Sequence, residues 1–226
     1  MKHKGNTRKL KPIGDPNDPM SLSYYLLRFT EHLKILQFAD ETIDGRYRAI
    51  HRFIRWCDER GLVHPTEITQ PILERFAHHI FLYRKINGEP LGASTQQNIL
   101  IAIRAWFGWL AQHSHILYNP ASEIQIPKCR KRLPNSILTI SQAEEIMNCP
   151  NLNTDTGIRD RAILEVLYST GIRRMELCNL KTSDLDAERG TLFVAHGKGD
   201  VDRMIPIGDR AIAWIKNTPM KYEVNM

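Results

Sequence analysis

The sequence predicts a mainly α protein with a small β-sheet, built from two parts. Three observations carry this. Between residues 20 and 118, four successive stretches repeat apolar side chains at helical spacing with no strand pattern between them. A proline-flanked basic segment, 119–134, has neither period. Beyond it, helical patterns give way to two short β-type runs around a glycine-rich turn.

The chain has 226 residues, room for one large domain or two small ones. Hydrophobic residues make up 42%, enough to fill cores. No apolar run approaches the roughly 18 residues of a spanning helix, so no membrane partner is expected. The basic N-terminus is not followed by an apolar stretch and cleavage site, which argues against a secretory signal. A cytoplasmic, nucleoid-associated location is the expectation. The net charge of +6 favours an anionic partner. Cys57, Cys129, Cys149 and Cys178 form no C-x-x-C pair, and no Cys/His cluster has zinc spacing, so reduced thiols and no metal are expected.

Residues 1–19 are polar, with Pro12, Pro16 and Pro19, and read as a flexible arm. Ser21 caps the first helix, whose apolar positions are Leu22, Tyr25, Leu26, Phe29, Leu33 and Leu36. The second helix spans 41–60, stops at Gly61 and carries Ile43, Tyr47, Ile50, Ile54 and Cys57. The third starts at 69–71, carries Ile72, Leu73, Phe76, Ile80 and Tyr83, and ends before the turn signal Asn87-Gly88. The fourth starts at Ser94 or Thr95 and carries Ile99, Leu100, Ile103, Trp106, Phe107 and Leu110. Trp56 and Trp106 read as core, and His78-His79 as structural. Residues 20–118 are thus a compact helical domain.

Arg48, Arg52 and Arg55 lie at i, i+4 and i+7 of the second helix, on a stripe facing away from its apolar side. One reading is an ordinary solvated face; the other is a helix presenting guanidiniums to phosphates. Residues 119–134 follow as an extended linker with Lys128, Arg130, Lys131 and Arg132. Such a linker suits a chain that wraps an anionic rod.

The second part, 135–226, begins its pattern near Leu138. Thr139 and Ser141 precede a helix start at Gln142. Helices are expected over 157–168, up to a break at Gly171, and over 174–180. Strands at 191–195 and 203–207 flank the turn His196-Gly-Lys-Gly-Asp, and a last helix starts at Asp209 with Ile212 and Ile215.

The most specific stretch runs from Tyr168 to Ile207. It holds Thr170-Gly171-Ile172-Arg173, then Glu176-Leu177, Asp184-Leu-Asp, Gly197-Lys198-Gly199 and Arg203-Met-Ile-Pro206. This resembles the tyrosine recombinases of the phage integrase family, in particular the Xer-like branch. Their pattern is T-G-L-R-x-x-E-L, then D-(I/L/V)-D, then G-K-G in a hairpin followed by a basic residue and a proline. The resemblance covers most of the chain. It implies a four-helix SAM-like core-binding domain, a basic linker and the N-terminal part of an α+β catalytic domain, acting on double-stranded DNA in site-specific recombination and integration.

Cleaving a phosphodiester requires charge stabilisation on the non-bridging oxygens, a task suited to a guanidinium. Gly171 breaks the backbone so that Arg173 projects at a helix start, where amide dipoles also favour anions. The resemblance gives that role to Arg173 and an orienting role to Glu176. It makes Lys198 the general acid beside the leaving oxygen. Arg174 points elsewhere and is not assigned. The second and fourth helices of the first domain are implied to supply groove contacts. No metal or cofactor is implied.

The family's catalytic domain continues with H-x-x-R, a His or Trp and a tyrosine nucleophile. No H-x-x-R occurs in the 226 residues. Tyr222, in a polar tail, is rejected as nucleophile. Tyr24, Tyr25, Tyr47, Tyr83, Tyr118 and Tyr168 read mostly as packing residues. The helical pattern is lost after Lys216, which favours a frameshift or early stop over a purpose-made short protein. The expectation is a truncated recombinase, inactive alone and monomeric without DNA, with Ile163 and Leu167 partly uncovered. A regulator that occupies recombination sites and blocks a full-length recombinase, and a helical module without DNA, are the competing readings.

Overall fold

Ser21 opens the first helix, as its place before an apolar period predicts. Its Oγ accepts from the Tyr24 N–H at 3.1 Å, and helix α1 spans Leu22–Ile35. The computed structural model describes residues 13–14, 18–129, 137–195 and 201–218. The chain divides into two units, Met1–Arg132 and Leu133–Met226. It is mainly helical, with one small antiparallel sheet.

In the first unit α2 spans Asp40–Asp58, α3 Gln70–Leu82 and α4 Ala93–Gln112. Gly61, at φ +69°, supplies the left-handed turn after α2. Helix α3 stops at Leu82, earlier than its apolar period suggests. The chain reverses instead through a tight turn in which Arg84 bridges Pro90 and Lys85 N–H donates to Glu89 O at 2.8 Å. The helices bury a single core, with the Phe53 ring edge-on to Phe76, Trp106 and Phe107 at 5.0, 6.5 and 6.0 Å. Trp56 and Trp106 are both buried.

Three expectations for side chains need correction. Residues 119–126 are not free linker: Ala121 and Ile124 are buried in the helical core, and the Arg104 guanidinium donates to the Ile124 carbonyl. The segment holds too few apolar side chains to show a sustained period, yet both join the buried cluster. Tyr118 and Tyr168 are exposed rather than packed, and Tyr83 caps α3 at the surface. His78 is exposed, whereas the His79 ring, open on one side, packs beside Trp56 and Phe76.

In the second unit Thr139 caps α5 (Ile140–Met147), exchanging hydrogen bonds with Gln142. Thr154 caps α6 (Asp155–Thr170) through the Gly157 N–H at 3.1 Å. Then come α7 (Arg174–Cys178) and strands β1 (Leu185–Asp186), β2 (Thr191–Val194) and β3 (Arg203–Pro206). The sheet order is β1-β2-β3, with Leu192 opposite Ile205 and Val194 opposite Arg203. Helix α8, Asp209–Lys216, packs its Ile212 and Ile215 with Val166, Leu177 and Leu192. Ile163 and Leu167 are partly buried against this cluster. The buried Glu165 carboxylate accepts from Arg161 and Arg210 at 2.9 and 2.8 Å, tying α8 to α6, and Arg210 also grips Glu144 of α5. Among the described residues no helix is long and apolar enough to cross a membrane.

Candidate nucleic-acid interface and phosphate site

In the first unit a groove of about 580 Å³ runs between α2 and α4. Small residues open it: Gly45 and Ala49 on α2 and Ala102 on α4 leave space where larger side chains would close the helices. Arg46, Arg48 and Arg52 line its α2 side. Arg48 is exposed and steadied by its Nε donating to Asp44 O at 3.2 Å. Arg46 lies over the Phe38 ring at 4.7 Å.

Arg52 departs from a simple solvated stripe. It is half-buried, its guanidinium carbon lies 5.4 Å from the Tyr83 ring centroid, and its Nη1 is shut from solvent without an acceptor among the described residues. A buried donor left unpaired is costly, and the neighbouring Tyr83 ring face offsets part of that cost. Arg55 is exposed and lines a separate recess with Arg52, Trp56, His79 and Tyr83. Partial burial first, then the positive charge of Arg60, hold the His79 imidazole below its ordinary value. The three arginines therefore serve two recesses, and Arg52 stands on the crest between them. Lys128 is exposed; Arg130, Lys131 and Arg132 lie outside the described residues.

In the second unit Gly171, at φ +63°, ends α6 in the left-handed conformation that a Cβ disfavours, donating to Leu167 O at 2.9 Å. Ile172 is buried beside it and fixes the direction of the chain. Arg173 then takes the N-cap of α7. Three residues on, Glu176 turns back and its Oε2 accepts the Arg173 backbone N–H at 2.9 Å. Arginine has no acceptor to return, so only this half of a capping box forms. Glu176 Oε1 also accepts from Arg173 Nη1 at 2.9 Å.

Arg203, at the start of β3, completes the cluster, with Nη1 at 3.1 Å and Nη2 at 2.7 Å from the two Glu176 oxygens. The Glu176 side chain is 5% exposed and that of Arg173 is 59% exposed. The Arg203 pair, followed by the Arg173 N–H, holds the Glu176 carboxyl far below the usual carboxylate range. One carboxylate thus faces two guanidiniums, and the excess positive charge lies on the exposed Arg173. Sequence reasoning assigned Arg173 and Glu176 but gave Arg203 no role. Its signal was the basic residue that follows the Gly-Lys-Gly turn. Lys198 and Tyr222 lie outside the described residues. Among the described residues no group of three or more His, Cys, Asp or Glu is placed to hold a metal.

Both halves of this arrangement have counterparts. The profile of the phage integrase N-terminal SAM-like domain matches residues 25–115, and that of the phage integrase family matches residues 136–224. The chain belongs to the phage integrase family. A relative named tyrosine recombinase XerC 2, from Ralstonia nicotianae, is 45% identical over 212 residues, covering 91% of this chain and 61% of its own length. Tyrosine recombinase XerC of Xanthomonas campestris pv. campestris is 32% identical over 191 residues, covering 83% and 56%. This integrase-family chain thus spans 56–61% of the length of these relatives.

Solved structures share the fold. The Tn1549 transposon integrase in complex with a circular intermediate DNA superposes with a TM-score of 0.63 at 19% identity, covering 88% of this chain and 66% of that one. A lambda integrase tetramer bound to a Holliday junction gives 0.62 at 21% identity, covering 85% and 53%. At such identities the likeness concerns the fold alone.

Proposed function

We propose that these 226 residues bind double-stranded DNA in site-specific recombination, holding a DNA phosphate at Arg173. Residues 20–118 act as the core-binding domain, gripping the duplex through Arg48, Arg52 and Arg55, and 135–226 supply part of the catalytic domain. Lys128, Arg130, Lys131 and Arg132 add phosphate contacts between them. The observation that carries the reading is the Glu176 cluster: a buried carboxylate fixes the backbone and side chain of Arg173 while most of its guanidinium stays open to solvent.

The chemistry follows from that placement. An oriented guanidinium donates to the non-bridging oxygens of a phosphodiester and strengthens its hold as charge builds on them. Glu176 and Arg203 touch no phosphate; they set the angle of Arg173. By resemblance to the family, Lys198 acts as the general acid at the leaving oxygen. No residue of the 226 is assigned as nucleophile, so the proposal for them is recognition and phosphate orientation.

Titrating the chain with duplex DNA at rising salt tests the reading. The expected plot of log K against log salt is linear and falls by about 0.9 for each phosphate neutralised. Arg173→Ala lowers that slope by about one contact. Absence of binding at low salt removes the proposal. A nicked suicide substrate checks the second half, and a covalent adduct surviving denaturation would overturn the lack of a nucleophile.

A further inference from the structure

Three histidines gather around one tryptophan where the end of α4 meets α1. The rings of His32 in α1 and His113, the C-cap of α4, have centroids 5.3 Å apart. They lie beside the Trp109 indole at 5.9 and 5.1 Å. His115 follows in the segment after α4. Its ring lies 4.8 Å from Tyr25 of α1 and 5.4 Å from Trp109, and stacks on His113 at 6.3 Å. Tyr25 and Trp109 are buried and His115 is half-buried. To bring His115 back to α1 the chain turns through Ser114 at φ +58°, the left-handed region that a side chain disfavours. The His115 backbone N–H donates to Leu110 O at 2.9 Å and closes the turn.

The charges acting on the His115 ring are of one sign. The titratable neighbours are Tyr25, Arg28 and His32 from α1 and His113 from α4. Arg104, the sole charged residue of α4, gives its guanidinium to the Ile124 carbonyl instead. Glu31 is exposed, and among the described residues no carboxylate pairs with these rings. Aromatic faces can hold a cation. Here the balance runs the other way: partial burial first, then His113 and then Arg28, hold His115 below its ordinary value of 6.5.

We propose that His115 is a proton-operated clasp: neutral, it holds the segment after α4 against α1, and on taking up a proton it leaves Tyr25 and Trp109 and frees the turn at Ser114. This goes beyond the DNA-binding reading and does not rest on it. The closed form binds fewer protons than the open one, so closure is complete above about 6.5 and is lost as pH falls through the lower value of the closed form. With one proton linked to opening, the closed-to-open ratio changes by at most about tenfold per pH unit.

The test is nuclear magnetic resonance of the full 226-residue chain between about pH 7.5 and pH 5, the range in which histidine titrates. Ring-to-ring contacts between Tyr25 and His115 are expected at the upper pH and lost at the lower. The amide signals of residues 113–117 shift with the same midpoint as the His115 ring, below 6.5. Contacts between Phe53 and Phe76 in the core persist throughout. His113→Ala raises the His115 midpoint by removing one opposing charge. His115→Phe keeps a ring that takes no proton, and the 113–117 amides then stop responding to pH. If the Tyr25–His115 contact survives after the His115 ring has titrated, the inference fails. If the His115 midpoint lies at or above 6.5, it fails. If the Phe53–Phe76 contacts vanish together with the clasp, the opening is not local and it fails. If the 113–117 amides of His115→Phe still follow the parent's curve, another group drives the change and it fails.

Discussion

Arg203 and Glu176 are joined by two hydrogen bonds, at 3.1 and 2.7 Å, across 27 residues of chain. The same carboxylate holds Arg173, so Arg203 acts on the proposed phosphate site through Glu176. Arg203→Ala is expected to lower DNA affinity several-fold while leaving the salt slope unchanged, because no phosphate contact is lost. Arg173→Ala lowers both affinity and slope, the slope by about one contact. Salt titrations of the two variants compare these outcomes. Equal loss of slope would make Arg203 a phosphate ligand rather than a positioning residue.

Glu176 also sets an acid limit. Its carboxyl titrates far below the ordinary value of 4.5, through Arg203 first and the Arg173 N–H second. The folded state therefore binds fewer protons than the unfolded one as pH falls through that range. The contribution is complete above about 4.5 and drains away as pH drops below it toward the folded value. Glu176→Gln lacks this dependence. Urea midpoints of parent and variant should differ most at neutral pH and converge as the solution is acidified below pH 4.5; a constant gap counts against the argument.

Gly157 marks a close approach within the second unit. A Cβ added there would lie 1.9 Å from the Asn151 carbonyl oxygen and 2.6 Å from its carbon. Backbone cannot swing aside as a side chain can. Gly157→Ala is expected to cost at least about 1–3 kcal/mol, the usual range for overpacking. Amide hydrogen exchange reads this locally: α6 loses protection, whereas α2 in the other unit keeps it.

Cys57 is buried in the last turn of α2, and burial pushes its thiol up to about 12, with Arg60 opposing. Cys149 and Cys178 are exposed. At pH 8 a thiol reagent should label the exposed pair at once and Cys57 only at the rate of unfolding. The sign with pH is the reverse of that at Glu176. Stability owed to the protonated Cys57 is whole below the unfolded value of 9.0 and is lost as pH climbs from there toward 12. Prompt labelling of three or more thiols that included Cys57 would contradict its burial.

Much of this fold can be read from the chain itself, for identifiable reasons. The helices of the first unit announce themselves because Leu22, Phe29, Ile50, Phe76 and Ile103 recur at helical spacing and all end up buried. Ser21 and Thr139 mark helix starts through their side-chain oxygens. Gly171, Arg173 and Glu176 lie within six residues, so their relation is local and a motif can carry it. Arg203 lies beyond that reach. Its grip on Glu176 depends on the register that sets Val194 opposite Arg203, which a linear reading does not fix. Strand β1 is two residues long, too short for a period. Ala121 and Ile124 look like linker because nothing near them repeats. The groove face of α4 is silent for another reason: Thr95 and Asn98 are ordinary neutral residues until the helix beside them is seen to bear the arginines.

Helix α4 keeps its two duties on separate side chains. Leu100, Ile103 and Phe107 anchor it among the other helices, while Thr95, Asn98 and Ile101 face the groove. Exchanges on the outer set touch few of the contacts that hold the helix, so their effects on folding should be small. The groove face of this helix can therefore change while the packing that fixes the helix in place stays as it is.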